Sequence, residues 1–258
     1  MKKLILISLV AVFLTSMSMF GEVPYYVLDT NWSSCYQIQM ASCTDCTSQL
    51  LTETINYLGC PCDVTYKIST CNCPEERTFV EILYIRVNIS TPPPCVFLVN
   101  LIHPDFPNLD MNNYRWLESQ IYDNIIGRLF VRDSSNYHCP DTNKSFSYFE
   151  ASCKMVCTVG LSAPGQPEAL LWLPKYCTPT GCCTTQYEYC VQTDGSIFKR
   201  VTMTGDQVCE GTEPSEPCPN PGTPTIGGDH IIIGGIDYTV TWVNATECSA
   251  ICYPPEQP

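Results

Sequence analysis

Positive charge is scarce in this chain. Lysine and arginine number 13 among 258 residues, against 26 aspartates and glutamates, for a formal net charge of −13. Such a surface repels nucleic acid, and no basic stripe is present to hold a phosphate backbone. Charged residues of both signs make up only 15 % of the chain, and the acidic balance suits the solubility of an exported protein. Histidine is nearly missing, with three copies (His103, His138 and His230), none at i, i+4 spacing with another ligand, so zinc-hydrolase geometry has no support. No glycine-rich phosphate loop occurs, and Ser162 in GLSAPG lacks the spacing of a nucleophile elbow. Beyond the first residues there is no apolar run long enough to span a bilayer as a helix.

The chain does carry an export signal. Residues 1–21 place Lys2 and Lys3 before the apolar run Leu4 to Leu14, broken by Ser8, with Ser16, Ser18 and Gly21 as small residues for cleavage. That run is shorter than the ~20 residues a spanning helix needs. No transmembrane segment is therefore expected after cleavage. The first cysteine is Cys35, so no lipid-attachment cysteine stands at the cleavage point, and all 19 cysteines lie in the exported part. A secreted, periplasmic or cell-surface location follows, where thiols pair.

The cysteines fall in a pattern. Three times a segment of alternating apolar and polar residues runs into a close cysteine pair: CYQIQMASCTDC (Tyr36, Ile38, Met40), SFSYFEASCKMVC (Phe146, Tyr148) and DYTVTWVNATECSAIC (Tyr238, Val240, Trp242). Period-two alternation predicts half-buried strands of antiparallel sheets. After the first two pairs come Cys60 and Cys62, or Cys182 and Cys183, then a tyrosine four residues on. Each leads into a predicted hairpin: DVTYKIST with TFVEILYIRVNI, and TTQYEYCV with SIFKRVTMT around Asp194-Gly195. The similarity suggests a degenerate internal duplication, residues 22–133 and 134–213. Residues 214–228 are a proline-rich linker, and 229–258 form a truncated third element. Its strand pair around Gly234-Gly235 is expected to complete a sheet, its own or a neighbour's.

Two amphipathic helices are predicted. Residues 47–58 place Leu51, Ile55 and Leu58 on one stripe and stop at Gly59, a natural C-terminal cap. Residues 111–126 follow Asp110 as N-cap, with Tyr114, Leu117, Ile121 and Ile125 on one stripe and Gly127 after them. The fold class is a β-rich α+β protein, antiparallel sheets and hairpins stapled by disulfides with two helices against them.

The stretch CPCDVTYKISTCNC, Cys60 to Cys73, tests what the cysteines do. Cys43-x2-Cys46 with Cys60-x-Cys62 loosely mimics a four-cysteine metal site, but the second pair is one residue short of knuckle spacing. An oxidising compartment also removes free thiolates. Cys43-Thr44-Asp45-Cys46 at a helix start suits thiol redox chemistry, yet Asp45 opposes a thiolate, and the alternating segment before it is not an all-apolar central strand. Disulfides remain, each close pair joining two different segments because C-x-C and adjacent cysteines bond each other poorly. No metal or cofactor is expected. Nineteen is odd, so one cysteine is left over: Cys95 is the candidate buried thiol, and Cys218 in PSEPCPNPG the candidate for a bond between chains.

No catalytic constellation emerges. Asp105, Asp110, Asp123 and Glu118 could supply a carboxylate pair for glycosidic cleavage but read as a loop and a solvated helix face. Asp141-x-Asn143-x-Ser145 opens like a calcium loop, with Phe146 where the glycine belongs. Four N-x-S/T sites (Asn31, Asn88, Asn143, Asn244), where chance supplies about two, do not decide between bacterial and eukaryotic origin. The expected role is a secreted structural or adhesive protein that self-associates or binds other surface proteins. A disulfide-rich binding module is the alternative, with an exported thiol-redox or hydrolytic enzyme behind it.

Overall fold

The run FVEILYIRV within Glu76–Asn88 is apolar but for Glu81 and Arg86, and it becomes the strand on which the sheet is built. The structure, a computed structural model, describes residues 25–29, 33–73, 75–90, 94–178, 181–205, 209–222 and 227–252. The expected signal peptide and Asn31 lie outside the described residues.

In chain order the elements are α1 (Ser34–Met40), β1 (Thr44–Tyr57), β2 (Cys60–Asn72), β3 (Glu76–Asn88), α2 (Pro94–Ile102) and α3 (Met111–Asp133). Then follow β4 (Lys144–Ala151), β5 (Cys153–Ser162), β6 (Ala169–Thr178), β7 (Cys182–Val191) and β8 (Ile197–Gly205). The last are β9 (Glu213–Pro214), β10 (His230–Ile233), β11 (Ile236–Ala245) and β12 (Ser249–Ala250). The chain is a β-rich α+β protein, as its strand patterns predict.

One edge of β3 pairs with β2 along its whole length. The other edge is shared. Arg77–Phe79 run parallel to Ser145–Ser147 of β4, and Ile85–Asn88 run antiparallel to Ala169–Trp172 of β6. The sheet forks there, one branch continuing β4-β7-β8 and the other β6-β5-β11-β10. In the crotch of the fork β3 has no strand neighbour, and backbone groups buried there must find partners. Tyrosines from two helices supply them. The Tyr36 hydroxyl of α1 donates to the Val80 carbonyl and accepts from Phe149 N–H at 3.0 Å, and Tyr122 of α3 accepts from Ile82 N–H at 3.1 Å.

Alternate residues of β5 and β6 divide between two cores. Val156, Leu170 and Trp172 face the core under α3, with Leu117, Ile121, Ile125 and Phe130. Val159, Leu161, Leu171 and Leu173 face the other, with Ile231, Ile233, Tyr238 and Val240. Tyr26, Leu28, Cys209 and Cys218 pack over this second core. On β11 the Trp242 ring occupies the space a side chain at Gly160 would fill.

Helix α3 starts where its cap predicts, Asp110 accepting from Asn113 N–H at 2.9 Å. It runs past Gly127 to Asp133, because Phe130 is buried and Arg128 pairs with Glu53 at 2.9 Å. These contacts outweigh the ~1 kcal/mol that a helical glycine costs.

The helix predicted for 47–58 is instead β1. Leu58 and Gly59 both have positive φ (50° and 81°) and close a two-residue hairpin in which Tyr57 faces Cys60. A hairpin turn of this kind and a helix C-terminal cap both need positive φ, so Gly59 fits either reading. The Thr, Ser and Gln of TDCTSQLLTETINY decide for the strand, through side-chain bonds such as Ser48 to Ser69 and Thr52 to Thr65 across to β2. Conversely, Ser34–Met40, predicted as a strand, is α1. Its local alternation yields to tertiary ties, the Tyr36 hydroxyl bonds and the Cys35–Cys182 disulfide. The likeness of this segment to the other two cysteine-led segments does not extend to its backbone.

Nine disulfides staple the fold: Cys35–Cys182, Cys43–Cys73, Cys46–Cys71, Cys60–Cys95, Cys139–Cys190, Cys153–Cys209, Cys157–Cys218, Cys177–Cys248 and Cys183–Cys252. No close pair bonds to itself. The adjacent Cys182 and Cys183 reach different elements, α1 and the chain after β12, whereas Cys43 and Cys46 both tie to the end of one hairpin. The unpaired cysteine is Cys62, buried, its thiol pushed up to about 12 by burial and then by neighbouring Asp63. Neither Cys95 nor Cys218 is free. Cys95 is paired because α2 lays it beside the start of β2. Cys218 is paired because the proline-rich stretch around it is held down: β9 pairs with the end of β6, and Glu216 meets Lys175 at 2.8 Å. The C-terminal hairpin completes its own sheet, Thr239–Ala245 pairing with Cys157–Ser162 of β5.

Candidate functional site

The residues with catalytic potential in the sequence are scattered. His103 is buried, its Nε2 accepting from Trp172 Nε1–H at 3.0 Å, which leaves Nδ1–H to donate to the Pro107 carbonyl at 3.1 Å. Burial lowers its pKa, so it stays neutral and fixes the loop before α3. His138 is exposed beside Thr142, and His230 pairs with Asp237 at 2.8 Å on β10–β11. Ser162 ends β5 opposite Thr239. Asp105 closes a turn with Asn108, Asp110 caps α3, and Asp123 pairs with Lys199 at 2.8 Å. Asp141 and Asn143 are exposed before β4, and Ser145 accepts from Gln186 across to β7. Asn88 pairs with Ala169 in the sheet, and Asn244 donates to Asn108 at 3.2 Å.

The sulfurs of Cys153, Cys177 and Cys248 lie within 4.8 Å of one another. All three belong to disulfides, as do Cys43, Cys46 and Cys60. None is available as a thiolate ligand.

Glu118 is where the sequence reading fails. It lies not on a solvated face but 4 % exposed under α3, where its Oε2 meets Lys154 Nζ at 2.6 Å. Lys154 also meets Glu150 Oε1 at 2.8 Å. Burial pushes Glu118 up to about 7, against the pull of Lys154. Burial works to lower the Lys154 ammonium, but Glu118 and Glu150 outweigh it and hold it above the ordinary lysine value. Arg115, one helical turn before Glu118, donates to the Ile251 carbonyl. Helical spacing does place Glu118 on the apolar stripe, four residues after Tyr114 and three before Ile121, a signal the solvated-face reading passed over; its partners come from β4 and β5, which spacing cannot show.

Glu81, on β3 in the fork, is a second buried acid. It accepts from Tyr176 O–H at 3.0 Å and Ser33 N–H at 3.3 Å, and burial pushes it up to about 7. Tyr176 of β6, Tyr36 of α1 and the more distant Lys67 of β2 are the titratable groups facing it. A carboxyl raised in the folded state contributes stability fully present below its ordinary value of 4.5 and lost as pH rises through about 7. The difference is worth about 3 kcal/mol. In Glu81→Gln, urea denaturation between pH 5 and 8 should show a flatter loss of stability than in the wild type. Parallel pH profiles would contradict the assignment.

The open chemistry is at the surface. β1 pairs only with β2 among the described elements, and the first half of its other edge is open, whereas toward its end Ile55 is buried and Glu53 and Tyr57 meet Arg128 and Trp116 of α3. Thr44–Leu50 are all exposed. Beside it, a half-open groove of about 430 Å³ is lined by Tyr25, Tyr26, Leu28, Leu50, Tyr84 and Ile232. β8 is also an edge, but it carries Lys199 and Arg200. No helix among the described residues is long and apolar enough to cross a membrane, and nine disulfides suit an extracellular or other oxidising compartment.

No protein-family model matches the chain, and neither comparison with curated proteins nor comparison with solved structures gives a match.

Proposed function

We propose that this is an exported structural or adhesive protein that joins an extracellular assembly by strand pairing along β1. The observation that supports this reading is the edge itself. A free strand offers a row of backbone donors and acceptors to another chain, and monomeric proteins blunt such edges with lysine, proline or short length. β1 is fourteen residues long, contains no lysine, arginine or proline, and is anchored at its base by Cys43–Cys73 and Cys46–Cys71. A rigid edge loses little conformational entropy on pairing, which favours β-augmentation. A second reading, capture of an apolar ligand, is favoured by the groove beside Leu50.

The disulfide-bonded protein should self-associate at roughly micromolar concentrations, the weak end for a modest interface. Thr47→Lys with Gln49→Lys, at exposed positions that spare the Ser48 and Thr52 bonds to β2, should return it to the monomer in light scattering, because like charges then line the edge. A monomeric wild type, or association unchanged in the double variant, would count against the β1 edge.

A further inference from the structure

Lys154, Glu118 and Glu150 form a buried triad with more chemistry than an ion pair requires. Their side chains are 3 %, 5 % and 10 % exposed. Lys154 Nζ touches one carboxyl oxygen of each acid, and Glu150 is also hydrogen-bonded to Glu118. The Tyr114 hydroxyl reaches the other Glu118 oxygen, Oε1, at 3.5 Å, and its ring lies 5.8 Å from Nζ. Tyr114, Leu117 and Ile121 surround the group on α3, each fully buried.

We propose that Lys154 and Glu118 close an intramolecular amide bond, tying α3 covalently to β5, with Glu150 as the proton carrier. The ammonium–carboxylate pair and its neutral amine–acid form hold the same protons and differ by one transfer along a 2.6 Å hydrogen bond. The amine–acid form is the minor one, because Glu118 and Glu150 hold the ammonium above the ordinary lysine value, but excluding water narrows the gap, since neither charge is solvated. From the neutral form the nitrogen lone pair attacks the Glu118 carboxyl carbon, one bond beyond the oxygen it already touches. Holding amine and acid in place replaces an encounter between free molecules with a step of high effective concentration. Negative charge develops on Oε1, toward which Tyr114 points. Glu150 takes a proton from the nitrogen and delivers one to the departing hydroxyl. The C–N bond forms, the C–O bond breaks, and one water leaves. Nothing is oxidised or reduced. The product replaces a buried ion pair with a neutral amide, removing the desolvation cost of both charges.

Glu118 is the partner in place of Glu150 because it combines the shorter contact with the deeper burial. Burial also favours its protonated, electrophilic form.

The test is the intact mass of the full exported chain after complete reduction and alkylation of its cysteines. It should be lighter than the sequence requires by one water. Proteolysis should then give a branched peptide joining Trp116–Arg128 to the segment containing Lys154, with cleavage after Lys154 blocked. Lys154→Met and Glu118→Ala should restore the full mass. Glu150→Gln, which keeps both bond-forming groups, should slow cross-link formation by about 10²–10⁴-fold, the range typical of a lost acid–base group, and leave freshly purified protein largely unlinked. A wild-type mass equal to the sequence value, or a water loss that maps to other residues, would overturn the proposal without requiring any variant to fold.

Discussion

Complete reduction should unfold this protein at temperatures where the oxidised form is stable, while a chelator should leave it unchanged. Losing one native disulfide from a small exported domain costs ~2–5 kcal/mol, and the whole stability of a domain is only ~5–15 kcal/mol. The loops closed here are long, with sequence separations of 147, 71 and 69 for Cys35–Cys182, Cys177–Cys248 and Cys183–Cys252. Long loops gain most from closure in the chain-entropy account. The staples also fasten short segments to the sheet, notably Cys209 and Cys218 over the second core. Thermal unfolding followed by circular dichroism with and without a phosphine reductant measures the effect. A melting temperature unmoved by reduction, or a collapse on adding chelator, would show that something other than cystine holds the fold.

Removing residues 214–258 should have an effect of similar size. The truncation strips β10 and β11 from the open edge of β5 and takes Ile231, Ile233, Tyr238 and Val240 out of the second core. It also leaves Cys157, Cys177 and Cys183 without their partners. An exposed strand edge beside three new thiols favours mispairing and aggregation. The expected result is loss of soluble protein, with scrambled disulfide-linked species on non-reducing electrophoresis. A truncated chain that melts and migrates like the full one would refute the role given to the hairpin.

The class of fold was legible because it follows from patterns that survive locally. HIII and DYTVTWV around Gly234-Gly235, SFSYFEA, and both predicted hairpins are strands; Asp110 caps its helix. What could not be read depends on contacts distant in sequence. Ser34–Met40 alternates like a strand, but Tyr36 is held by Val80 and Phe149 and the segment coils. Gly59 satisfies a helix end and a hairpin turn equally well. The free thiol falls on Cys62 for a reason spacing does not carry: α2 presents Cys95 to Cys60 and not to Cys62. The Glu118 cluster was hidden because both partners lie on other elements. That Glu118 is buried was legible in its spacing from Tyr114 and Ile121; that Lys154 and Glu150 meet it there was not.

The adjacent cysteines of β7 have one consequence beyond stability. Cys182 bonds to Cys35 near the start of the described chain, and Cys183 bonds to Cys252 at its end. Two disulfides and one peptide unit therefore join the ends. Tension applied through the flanking segments would run along this covalent short circuit, and nearly everything between Cys35 and Cys252 would sit outside the load path. The sheet, the forked edge of β3 and the β1 edge would stay folded while the chain on either side is pulled taut.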